Sequence, residues 1–158
     1  MTRSKFRRIG TISLAASILL AIISSCATLG FEASESSVER VIALINSGEP
    51  EDVVTNSTIP FVFDGEILLR RRDVETLWMG LRANDFELTN PEILSIEGIS
   101  ESSYLLFSES REMEIHFSKH IPQGAYIAEV GSSRGRFVLL LGKTRNGYSE
   151  IHGFSGPM

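Results

Sequence analysis

The 158 residues hold one cysteine, one tryptophan and three histidines. A single cysteine excludes an internal disulfide framework. No apolar run reaches the roughly 20 residues that a bilayer-spanning helix needs. Basic residues number 15 against 20 acidic ones, and beyond the N-terminus the one basic cluster is Arg70-Arg71-Arg72. The long basic stripe that nucleic acid requires is missing, so nucleic acid is not an expected partner. Gly131-Ser132-Ser133-Arg134-Gly135 is flexible, but no helix follows it to cradle a phosphate. Internal repeats and low-complexity blocks are also missing.

What is present begins with a charged N-terminus. Arg3, Lys5, Arg7 and Arg8 precede an apolar run from Ile9 to Ile23, which ends in Ser24-Ser25-Cys26. A positive start and a short apolar core form the pattern of a secretory signal peptide. The tetrad Ile23-Ser24-Ser25-Cys26 resembles the lipobox of bacterial lipoproteins. That resemblance implies cleavage after residue 25 and lipidation of Cys26 with diacylglycerol and a palmitate-type acyl chain. It places the chain in the cell envelope, held to a membrane. Ala27 in place of Asp implies the outer membrane. Several acyl chains are needed for stable residence, because each buried methylene contributes only about 0.8 kcal/mol. Residues 1–25 carry four basic and no acidic side chains, so the processed chain holds 11 basic against 20 acidic residues, net about −9.

Residues 26–36 read as the lipidated cysteine and a short tether, and residues 37–158 as one domain with one core. Ser36 and Glu39 offer a capping box, and Val38, Val41, Ile42 and Ile45 form a helical stripe that Gly48 and Pro50 stop. A short turn follows through Glu51 to Val54. Pro60 to Phe63 and Glu66 to Leu69 flank Asp64-Gly65, a hairpin signal. Asp73 can cap a second helix with the stripe Val74, Leu77, Trp78, Leu81. From Phe86 onward the spacing predicts strands: Ile93–Ile96, Tyr104–Phe107, Glu112–Phe117, Ala125–Val130, Arg136–Leu141, and Tyr148–Phe154 after Asn146-Gly147. Helices first and antiparallel strands after predict an α+β fold, with the helices on one sheet face.

A helix, then TIPFVFDGEILLRRRDVETLWMGLR, then a strand meander ending RFVLLLGKTRNGYSEIHGF resembles the nuclear transport factor 2-like superfamily. The resemblance implies a cone: a strongly curved antiparallel sheet around N-terminal helices, with an apolar pocket at its wide end. It also implies homodimerisation through the open sheet face. A cystatin-like fold is the nearest competitor, and the second helix with Trp78 argues against it.

Phe61, Phe63, Trp78, Tyr126, Phe137, His152 and Phe154 are the candidate pocket residues. The aromatic members read either as packed core or as the lining of an apolar ligand site. His152 shares a predicted strand face with Tyr148, Glu150 and Phe154. Asp64 reads as a turn residue, and His116 as part of a solvated strand face. His116 and His120 read as bracketing a strand end, about 13 Å apart and too far to share a metal ion. No catalytic residue, metal site or cofactor is expected. Two functions follow: an envelope module that binds a small apolar ligand or an envelope protein, or a pocket isomerase, dehydratase or hydrolase of the same fold.

Overall fold

The computed structural model describes residues 34–145 and 147–158. The signal peptide, Cys26 and most of the tether lie outside the described residues.

Helix α1 spans Glu35–Ser47 and buries Val38, Val41, Ile42, Leu44 and Ile45, the predicted stripe plus one flanking leucine. It starts two residues earlier than the expected domain boundary. Its N-cap is Ser34, not Ser36, and Ser34 Oγ lies 2.9 Å from Ser37 Oγ. The residues read as the end of the tether therefore belong to the first turn. The Gly48 amide closes the helix on the Leu44 carbonyl. Pro50 then opens α2, Pro50–Asn56, where its missing N–H costs nothing.

Strand β1, Ser57–Phe63, pairs with β2, Glu66–Leu68, across Asp64 (φ 42°) and Gly65 (φ 87°). Both turn residues are left-handed, the geometry for which Asp-Gly is suited. Helix α3, Arg71–Ala83, buries Val74 and Trp78. Its N-cap is Arg70, and Asp73 lies in the first turn instead of capping it.

Strand β3, Glu92–Gly98, follows as expected. The next two predicted strands are helices. Ser103–Leu106 forms a short 3₁₀ turn, and Arg111–His120 forms α4. Ser110 fixes α4 by accepting the Met113 amide on its hydroxyl, the standard N-cap bond. The run Met113, Ile115, Phe117 alternates like a strand, but Met113, His116, Phe117 and His120 also fall at helical spacing. The cap and the second period win. Strands β4 (Tyr126–Ser132), β5 (Gly135–Arg145) and β6 (Tyr148–Ser155) complete the chain.

The six strands form one sheet in the order β2-β1-β6-β5-β4-β3. All neighbours are antiparallel except β1 and β6, which run parallel with Val62 opposite Gly153. The sheet is therefore mixed, not purely antiparallel. Alternation along a strand reveals which face a residue takes, but not which distant strand it meets or in which direction.

Both faces are covered. One carries Phe61, Tyr126, Ala128, Val130, Phe137, Leu139, Leu141, Ile151 and Phe154, packed with α1, α2 and α3. The other carries Val62, Ile127, Val138 and Leu140, packed with Phe107 after the 3₁₀ turn and with Met113 and Phe117 of α4. The expected open face is thus occupied in part by α4, and the helices do not all lie on one side. The described architecture is α+β, with one mixed sheet between two unequal helical layers.

Candidate functional site

Six of the seven candidate pocket residues come together on the α1–α3 face. Phe61 meets Trp78 edge-on at 6.1 Å between ring centroids, and Trp78 lies 6.0 Å from Phe154. Phe154 stacks on Phe63 at 6.1 Å and on Phe137 at 5.6 Å. Phe86, which sequence reasoning left out, closes the cluster against Phe137 at 5.8 Å and Phe154 at 5.5 Å. Its signal was the apolar residue following the Asn84-Asp85 stop of α3. Tyr126 lies in the same buried layer on β4, the strand next to that of Phe137, with its hydroxyl 2.9 Å from Ser149 Oγ.

The polar tips of this interior are matched. Trp78 Nε1 donates to Ser57 Oγ at 3.2 Å, and Ser57 Oγ in turn donates to the Val53 carbonyl at 2.8 Å. Burial raises the Tyr126 phenol above its ordinary pKa, and the Ser149 contact partly offsets the rise. Beside Trp78 the remaining cavity is about 10 Å³, bounded by Ile45, Val53, Leu81, Arg82 and Phe86 among others. That is at most the volume for one water. The aromatic set is a packed core, so the space where a ligand would sit is filled by side chains. Larger recesses are surface grooves, one of about 490 Å³ between α2 and α3, one of about 480 Å³ beside α4 and one of about 470 Å³ between α1 and β3.

His152 is separated from this set. The register of β5 and β6 shifts between Leu140–Gly153 and Leu141–Ile151, so His152 is an extra residue in a β-bulge. Ile151 and Phe154 stay on the α1–α3 face, while the His152 ring turns to the other face against Gly142. Strict alternation predicted that Tyr148 and Phe154 share its face; both instead belong to the α1–α3 side. Its Nδ1 lies 3.0 Å from Thr58 Oγ1, and its Nε2 is buried with no hydrogen-bond partner. Glu150 Oε2 is 4.0 Å from that nitrogen. Burial lowers the His152 pKa from 6.5 to about 4.

His116 lies on α4 on the same side of the sheet. It is 4% exposed and not on a solvated strand face, and its Nε2 is also buried and unpartnered. Its ring stacks on His120 at 5.3 Å, because residues four apart lie one above the other on a helix. The strand reading that set them 13 Å apart is overturned. Burial first, then the neighbouring His120 and His152, lower the His116 pKa. Both His116 and His152 are neutral bases at pH 7. Among the described residues no three His, Cys, Asp or Glu side chains gather as ligands for an ion.

Asp64 has a second role beyond its turn: Oδ1 accepts the Gly156 amide at 2.8 Å. Among the described residues no helix is long and apolar enough to cross a membrane. In comparisons with known proteins, the chain matches no family model, no curated sequence and no solved structure.

Proposed function

We propose that this chain is a lipid-anchored bacterial envelope protein, held through Cys26, whose domain works as a protein-interaction module of nuclear transport factor 2-like type. The observation that carries the functional half is the filled interior: stacked phenylalanines and Trp78 leave about 10 Å³ beside the indole. A domain that buries its aromatic set this tightly works through its outer surface. The element order, two helices, a hairpin, a third helix and a strand meander, supports the superfamily reading. Helix α4 is its departure from that pattern. The short apolar run and Ser24-Ser25-Cys26 support the anchor, and the outer membrane is the proposed site.

The competing pocket enzyme needs polar groups converging in an open cavity. Here the indole N–H and the Tyr126 hydroxyl are spent on Ser57 and Ser149.

Thermal unfolding with saturating decanoate or benzene tests the filled interior. Ligands that bind only the folded state raise Tm. The native chain should show no rise with either. Trp78→Ala, which opens an apolar cavity, should gain a rise with benzene. A saturable rise of the native chain with decanoate would restore the ligand-binding reading.

A further inference from the structure

From the paired burial of His116 and His152 across the interface between α4 and the sheet, we infer that α4 is an acid-released flap, held closed while both rings are neutral and freed when protons enter between them. Four observations carry it. His116 and His152 are 4% and 7% exposed, and each has an Nε2 with no partner. They sit on elements distant in sequence, with His152 within electrostatic reach of His116. A groove of about 480 Å³ runs along the outer edge of α4, lined by Glu114, Phe117 and Ser118 with Ile99, Ser100 and Glu101. The interface is also thin: α4 contributes Met113 and Phe117 to a small apolar layer over Val62, Ile127, Val138 and Leu140.

The chemistry then has one direction. A buried imidazole that gains a proton must become a desolvated cation unless it reaches water or a counter-charge. The surrounding groups offer little relief. Against His152 stand Thr58 from β1, Gly142 from β5 and Glu150 from β6 itself, and Glu150 is also 4.0 Å from Arg145. Against His116 stand His120 and His152, which oppose its charge, and Glu112, which favours it as the smallest influence. On this side of β4 and β5 the other charged pair, Glu129 and Arg136, is closed on itself at 3.1 Å. The sheet and α1–α3 have their own larger core. Moving α4 outward hydrates His116, opens the sheet face on which His152 lies, and leaves that core intact.

Hydrogen exchange on the full chain between pH 7 and pH 5, corrected for intrinsic exchange, reads the flap directly. If opening restores the ordinary His152 pKa of 6.5 from about 4, protection of amides 111–120 falls about twentyfold from pH 7 to pH 5. Protection of β5 should persist. Two variants isolate the cause. His152→Asn keeps a polar atom for Thr58 but does not titrate. His116→Phe fills the same space without a buried nitrogen, and it keeps the test valid should His152→Asn fold poorly. His152→Asn should remove most of the loss at pH 5, and His116→Phe should reduce it only by the share that His116 adds. Unchanged protection of 111–120 in the native chain, its loss together with β5, or an equal loss in both variants would overturn the inference.

Discussion

Trp78 is the residue on which the filled interior depends. It is 3% exposed, touches Phe61 and Phe154, and spends its N–H on Ser57. Trp78→Ala should cost about 3–5 kcal/mol in denaturant unfolding, because the aromatic neighbours can only partly collapse into the void. His152 links stability to pH. Its folded pKa of about 4 lies below the ordinary 6.5, so the unfolded chain takes the proton first. The contribution is complete above pH 6.5 and is lost as pH falls toward 4, about 3 kcal/mol in all. Unfolding midpoints taken from pH 7 to pH 4 should drop more steeply for the native chain than for His152→Asn. Gly142 faces the same ring. A Cβ there would meet His152 Cδ2 at 2.8 Å, so Gly142→Ala should force the imidazole aside and lower Tm by several degrees in calorimetry, about 1–3 kcal/mol of overpacking.

At the scale of elements, Arg82 ties α3 to the end of α1. Its guanidinium donates to the carbonyls of Ile45 at 3.0 Å and Asn46 at 2.8 Å, and also to Gly48. These carbonyls have no partner inside the helix. Arg82→Met keeps much of the stem but removes the charged donors, and should destabilise the fold by about 2–3 kcal/mol in urea. Helices α1 and α3 and the hairpin were legible in the sequence because each had one dominant signal, a stripe at i, i+3, i+4, i+7 or Asp-Gly between apolar runs, while α2 was legible only as a short turn. Helix α4 was not, because Met113, Ile115 and Phe117 support a strand while Met113, His116, Phe117 and His120 support a helix. Ser110 as N-cap was the deciding mark, and it is a weak one next to a clean alternation. The bulge at His152 left no mark at all, since it arises from the pairing of β6 with β5. That one extra residue is why His152 is parted from the aromatic set and turns to the other sheet face.

For the whole molecule, coverage of both sheet faces is the feature that most changes the reading. Its trace in the sequence was Phe137-Val138-Leu139-Leu140-Leu141, unbroken apolar where a half-solvated strand would alternate. The parallel pairing of β1 with β6 joins residues nearly a hundred positions apart, and no local pattern encodes it. With the interior filled and α4 over part of the second face, the surface grooves and the outer face of the helices are what remains for a partner. The proposed anchor decides where that surface is presented. Metabolic labelling with palmitate, followed by membrane sedimentation of the native chain and Cys26→Ala, is the most direct test. The native chain should carry label and sediment with membranes, while Cys26→Ala should lose both. Equal sedimentation of the two, or label persisting without Cys26, would contradict the anchor.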